Sequence, residues 1–152
     1  MSNKPSATWA ENHALTIPNF NPIWDDYRKL ITSLPDQIKN TLQENIIEAL
    51  ERGMSVAQLQ KLLLACQALT EDQAKTIAWT ELARADVAGN LTSYRISGIV
   101  SGKEWLNGSD ACPICLENVR AGVIGLNDLF PSGDDAPPAH PRCRCDILPV
   151  TK

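Results

Sequence analysis

Apolar side chains recur every three to four positions between residues 21 and 97, which is the spacing of amphipathic α-helices. The pair Asn21-Pro22 supplies an N-cap and a first-turn proline, so a first helix is predicted to start there. A second helix is predicted with Ser33 as its N-cap. Gly53 is its expected stop, because glycine readily takes the left-handed conformation found at helix C-termini.

Two more helices are predicted from capping boxes, in which a hydroxyl side chain and a glutamine three residues later satisfy the first free amides. These boxes begin at Ser55 and Thr70. The fourth helix is the longest, carries a stripe of alanines and is expected to end near Gly98. About four helices are therefore expected in the N-terminal part of the chain.

Residues 1–20 are polar and lack this helical period, so they are predicted to form a flexible N-terminal arm. Apolar side chains within the segment leave a second interpretation open, in which the arm docks onto a partner. These side chains are Trp9, Leu15, Ile17 and Phe20.

The last third of the chain changes from helical periodicity to short alternating segments. Residues 99–106 predict one or two short strands around a Ser101-Gly102 turn. Residues 145–150 predict a further strand, which Pro149 is expected to stop because proline has no amide hydrogen to donate.

These patterns predict an α+β fold with one domain over residues 21–150. A helical part, residues 21–98, is expected to precede a small lobe of strands and loops, residues 99–150. Between the predicted strands, residues 107–141 are rich in glycine, proline and aspartate and show little periodicity. Such a stretch cannot bury a core of its own and needs a tether to become ordered.

Composition and charge argue against two classes of protein, those that bind nucleic-acid backbones broadly and those that span membranes. Apolar residues make up 43% of the 152 positions, and the formal charge of −4 argues against broad binding to nucleic-acid backbones. The chain starts with no basic and apolar leader, and no apolar run reaches the roughly 20 residues of a membrane span. No membrane association is expected, and the reducing cytosol favours metal binding over disulfides for clustered cysteines.

Four of the five cysteines lie in the predicted lobe and are spaced like zinc ligands. Two-residue gaps separate Cys112 from Cys115 and His140 from Cys143, and Cys145 follows closely. Four of these five side chains are expected to hold one structural Zn²⁺, since tetrahedral zinc takes four ligands. Cys112, Cys115 and His140 are the preferred ligands, together with either Cys143 or Cys145. Only one of the last two is expected to bind, because an extended chain points their side chains to opposite sides.

Three alternatives to structural zinc are a pair of disulfides, unbound thiols and a catalytic cysteine–histidine pair. No catalytic residue is predicted, because the sequence has no HxE with PCxxC, no HExxH, no phosphate-binding glycine loop and no GxSxG. The loop acids Asp110, Asp134 and Asp135 are interpreted as solvated surface. Cys66 is interpreted as a small core residue.

An ordered set of segments, "TIAWTELARADVAG", "DACPIC" and "PPAHPRCRC", resembles the C-terminal domain of the Mu F-like phage head morphogenesis family. Members of that family are minor capsid proteins of tailed bacteriophages. Trp79 stands where the family's helix motif has an arginine. The matching positions are Ala78, Thr80, Glu81, Gly98, Trp105, Asp110, Cys112, Cys115, Pro137, Pro138, His140, Pro141, Cys143, Arg144 and Cys145.

This resemblance implies a structural virion protein, present in a few copies, that assists head assembly or DNA delivery near the portal. It implies portal or capsid proteins as partners, and proximity to packaged DNA without a recognisable nucleic-acid site. The expected location is the host bacterial cytoplasm during assembly and then the virion head. The alternatives are a phage-encoded nuclease or toxin effector, and a cytosolic zinc-stabilised adaptor for a protein partner.

The resemblance also marks five of its residues as structural. Thr80 and Glu81 are expected to be scaffold residues, with Glu81 either accepting hydrogen bonds from loop amides near the metal lobe or facing water. Trp105 is expected to pack in the core. Arg144 is expected either to pair with a carboxylate such as Asp110 or to face water.

Overall fold

The computed structural model describes residues 4–109 and 111–152, and over these residues the protein has the predicted α+β fold. Six α-helices and one three-stranded antiparallel sheet form in the described part of the chain. The helices are α1 (Pro5–His13), α2 (Asp25–Thr32), α3 (Asp36–Arg52), α4 (Val56–Leu64), α5 (Glu71–Ser97) and α6 (Pro113–Arg120), and the strands are β1 (Val100–Leu106), β2 (Val123–Gly125) and β3 (Asp146–Thr151).

Most helix signals of residues 21–97 act as the sequence predicts, but the expectation that Ser33 caps α3 was wrong, because Pro35 is the N-cap of α3 and Ser33 lies at the end of α2. Ser55 and Thr70 each form a complete capping box with the glutamine three residues later. Gly53 ends α3 in the left-handed region, at φ 66°, where a side chain would be strained. Asn21 caps a short 3-10 turn, Pro22–Trp24, which leads directly into α2.

The N-terminal segment predicted to be a flexible arm instead contains α1, which packs against α5 and α3. Ala7 and Ala10 are buried on its inner face. Contact with α5 is close, since a Cβ added to Gly89 would lie 3.1 Å from the backbone nitrogen of Ser6. The periodicity missed this helix because its buried positions are alanines, which contribute little to an apolar pattern.

The longest helix, α5, is shared between two regions of core. Its first half packs with α1 to α4 around a cluster that includes Leu42, Leu59 and Ile77. Further along α5, Val87 and Leu91 pack in a smaller cluster with residues of the C-terminal lobe. No helix in the described ranges is both long and apolar enough to cross a membrane.

The sheet has the order β2-β1-β3, and two expectations for its strands were wrong. The predicted Ser101-Gly102 turn does not form, because β1 runs through it with an irregularity between Val100 and Gly102. Pro149 does not stop β3 but lies within it, opposite Lys103. An edge strand tolerates proline, since the position of the missing amide can face away from the neighbouring strand.

The stretch expected to be irregular, residues 107–141, contains both α6 and β2. The buried positions of α6 are Cys115 and Asn118, so the helix lacks the apolar stripe that sequence analysis relies on. This helix carries part of the cysteine cluster described below.

Enlarging Ala10 to leucine is expected to lower the free energy of unfolding by about 1–3 kcal/mol, because the buried face of α1 has no room for the added atoms. Urea unfolding followed by circular dichroism measures the change. Ala57→Leu is the matched control, since Ala57 is exposed on α4. Equal stability of the two variants would contradict the packed helix.

Candidate metal centre

Three cysteines and one histidine of the C-terminal lobe lie around Cys115. The Sγ atom of Cys115 lies 3.7 Å from that of Cys112 and 3.7 Å from that of Cys143. The donor atoms of Cys112, Cys115 and His140 lie within 4.8 Å of one another, as do those of Cys115, Cys143 and Cys145. This group of thiols and imidazole could hold a metal ion.

The first two donors are positioned by the start of α6. Cys112 is the N-cap of the helix, Pro113 occupies its first position, and Cys115 follows in the first turn. N-cap and third-position side chains face each other across a helix start, as they do in a capping box. The CxxC spacing therefore brings the two sulfurs together through ordinary helix geometry.

The remaining donors come from a turn at residues 140–145, and the expectation that Cys143 and Cys145 point to opposite sides was wrong. That expectation assumed an extended chain, whereas β3 begins only after Cys145. Arg142 lies in the left-handed region at φ 59°, which turns the backbone just before Cys143. Both sulfurs consequently lie near Cys115.

The imidazole of His140 is oriented by the backbone. Its Nδ1 atom lies 2.8 Å from the carbonyl oxygen of Pro141, the geometry of an Nδ1–H donor. Metal-binding histidines commonly make this kind of hydrogen bond, because it leaves Nε2 unprotonated for the metal. The buried indole N–H of Trp105 has no partner at normal hydrogen-bond distance among the described residues. Trp105 packs in the same cluster as the sulfurs, so this N–H is an unused hydrogen-bond donor close to them.

Neighbouring groups shift the proton affinities within the cluster. The hydrogen bond from the Cys115 thiol lowers the pKa of Cys143, and a second bond from His140 adds to the effect. The same interaction raises the pKa of Cys115, and the Cys143 sulfur raises the pKa of His140 to about 9. The cluster therefore favours a thiolate at Cys143, the form in which cysteine binds metals.

The turn that carries Cys143 is fixed to α5 by Arg142. The backbone N–H of Arg142 donates to Oγ1 of Thr80 at 3.1 Å, and its Nε–H donates to Oγ1 of Thr76 at 2.8 Å. Its Nη2 donates to Oδ1 of Asp72 at 2.7 Å. Sequence analysis missed Arg142, Thr76 and Asp72, although residues 72, 76 and 80 recur every four positions and so share one helix face.

Glu81 serves the other side of α5, so the expectation that it bonds amides near the metal lobe was wrong. Its fully buried carboxylate accepts the amide of Leu15 and the hydroxyl of Tyr27, each at 2.7 Å. Arg84 donates to both carboxylate oxygens at 2.9 Å. Adjacent helix positions point about 100° apart, which is why Thr80 contacts the metal lobe while Glu81 contacts the N-terminal segment.

The other predicted structural residues lie around the cluster. Trp105 is buried and packs edge-on against Phe130, with ring centroids 5.0 Å apart. The guanidinium of Arg144 lies over the ring of Trp79, 5.0 Å from its centroid, so Trp79 is in contact with the lobe. Asp110 lies outside the described residues.

A polar chain of contacts joins the lobe to the N-terminal segment, and it corrects the interpretation of Asp134 as solvated surface. Asp134 accepts hydrogen bonds from Asn19 Nδ2 at 2.6 Å and from the Ser132 hydroxyl at 2.7 Å. Ser132 in turn exchanges two hydrogen bonds with the buried side chain of Asn118 on α6. Asp135 is exposed, as the interpretation requires.

The family comparison covers the sulfur cluster and the helix α5 to which its turn is fixed. The family described as Phage Mu protein F like protein matches residues 40–148, which is more than half of the chain. The chain belongs to this family. The match runs from α3 into β3 and includes all five donors of the cluster, and the Phage Mu F-like family indicates a phage head-related protein of the structural and morphogenesis type. Comparisons with curated proteins and with solved structures gave no match.

Replacing Thr80 by valine is expected to lower the free energy of unfolding by about 1–3 kcal/mol, because the Arg142 amide loses its acceptor in a buried place. Thr92→Val on the exposed side of α5 is the matched control. Chemical denaturation of the two variants measures the difference. An unchanged stability of Thr80→Val would show that the turn is not held to α5 by this contact.

Proposed function

We propose that this protein is a minor head protein of a phage or prophage that assists head morphogenesis near the portal, and that a structural zinc ion holds its C-terminal lobe together. Family membership supports the head-related function. The observation that carries the zinc proposal is the presence of two overlapping groups of possible ligands that share Cys115, one with Cys112 and His140 and the other with Cys143 and Cys145.

Donor type and spacing both support zinc. Thiolates and imidazole are the donors of structural zinc sites, whereas calcium and magnesium prefer oxygen. Two sulfurs bound to one tetrahedral zinc at about 2.3 Å stand about 3.8 Å apart. Each of the two close pairs, Cys115 with Cys112 and Cys115 with Cys143, is separated by 3.7 Å.

The four proposed ligands are the thiolates of Cys112, Cys115 and Cys143 and the Nε2 atom of His140. Cys143 is preferred over Cys145 because its sulfur is buried and lies 3.7 Å from that of Cys115. Hydrogen bonds with Cys115 and His140 also lower the pKa of Cys143. Cys145 would then lie beside the ion as a protonated thiol.

Four protein ligands leave no open position for water or substrate, which is the arrangement of structural rather than catalytic zinc. Zinc bound there would join the start of α6 to the turn at residues 140–145. Such binding contributes on the order of 10 kcal/mol in small zinc domains. This binding offsets part of the conformational entropy lost when the connecting residues 121–139, which contain only a short strand, become ordered.

The proposed partners are portal and capsid proteins, encountered in the host bacterial cytoplasm and retained in the virion head. This part of the proposal rests on family membership. A tagged copy supplied during phage growth is expected to sediment with proheads and to be absent from proheads assembled without portal. Free protein in all fractions, or cleavage of DNA by the purified protein, would overturn the assignment.

Purified protein is expected to contain about one zinc per chain, since one tetrahedral site is proposed. Elemental analysis measures the metal, and thermal melting measures its contribution to stability. Cys115→Ser is expected to lower both zinc content and melting temperature, whereas Cys66→Ser is the control, because Cys66 packs at the edge of the helical core. A folded, metal-free protein with paired cysteines would contradict the proposal.

A further inference from the structure

The face of the sheet opposite the core exposes several apolar side chains around two carboxylates, although the solvent face of an antiparallel sheet is ordinarily polar. Glu104 on β1 stands between Val123 on β2 and Leu148 on β3, and directly opposed residues share a face. Leu106 lies on the same face, because it is two positions along the strand from Glu104. Val123, Leu106 and Leu148 are 54%, 45% and 42% exposed.

Gly102 lets side chains of the two neighbouring strands approach each other on this face. A Cβ added to Gly102 would lie 3.0 Å from Cγ1 of Val123 and 3.7 Å from Cβ of Val150. The two valines therefore approach each other over the glycine. Exposed apolar side chains grouped with a few polar residues are typical of protein interaction sites.

The charges on this face have one sign. The carboxylate of Glu104, half-buried at the centre of the face, forms no ion pair or hydrogen bond with another described residue. Asp146 lies on the same face, opposite Leu106. No lysine or arginine occupies the face within the paired strand positions. A protein that covers it must supply a cation, because burying an unpaired carboxylate is strongly unfavourable.

We propose that this outer sheet face, formed by Gly102, Glu104, Leu106, Val123, Asp146, Leu148 and Val150, docks a segment of another head protein. The segment presents an arginine or lysine between apolar side chains. A second copy of this chain fits poorly, since two-fold stacking of the same face would bring like carboxylates together. This proposal rests on the proposed function only in taking the partner to be another head protein.

A random peptide library displayed on particles and selected on the intact, zinc-loaded protein tests the proposal. Selected peptides are expected to share an arginine or lysine flanked by apolar residues. Glu104→Lys is expected to weaken the selected peptide about tenfold or more, since it replaces an attraction by a repulsion. Val123→Ser is expected to weaken the same peptide without changing the circular dichroism spectrum.

Glu44→Lys is the matched control, because Glu44 is exposed on α3 and far from the sheet. Selection of no peptide, or of peptides that Glu104→Lys does not affect, would overturn the proposal. A dimer in analytical ultracentrifugation that Val123→Ser dissociates would also overturn it, in favour of a second copy. If prohead association persists while peptide selection fails, the docking surface is wrong and the head assignment stands.

Discussion

The meeting of four sulfurs and one imidazole around Cys115 is the constraint on which the C-terminal lobe depends. The lobe has a sheet of only three strands, one of them three residues long. Its own core contains few large apolar side chains, chiefly Trp105 and Phe130. A unit of this size is marginal in water without a covalent or metal tie. The sulfur cluster lies within that core, so packing and ligand placement stabilise each other.

α5 connects the C-terminal lobe to the rest of the molecule. One of its faces holds the turn at residues 140–145 through Thr80 and its neighbours. The adjacent position, Glu81, holds the N-terminal segment and Tyr27 through a fully buried carboxylate. Two consecutive residues of one helix thus connect opposite sides of the molecule. Since both make hydrogen bonds in buried surroundings, the loss of either leaves a polar group unpaired.

The parts of the structure that sequence analysis predicted are those with a local physical signal. Capping boxes located the starts of α4 and α5, and cysteine spacing identified side chains that the fold brings close together. The missed elements have no such signal, because α1 buries alanines and α6 buries Cys115 and Asn118. The left-handed turn at Arg142 was also missed, since it depends on contacts with residues of α5 that are distant in sequence.

The ligand set is the central claim, and X-ray absorption at the zinc edge of the purified protein tests it most directly. Bond lengths distinguish sulfur from nitrogen or oxygen, and the fitted coordination numbers give the count of each. The account predicts three sulfurs at about 2.3 Å and one nitrogen at about 2.0 Å. Four sulfurs without nitrogen, a shell dominated by oxygen, or the absence of zinc would contradict it.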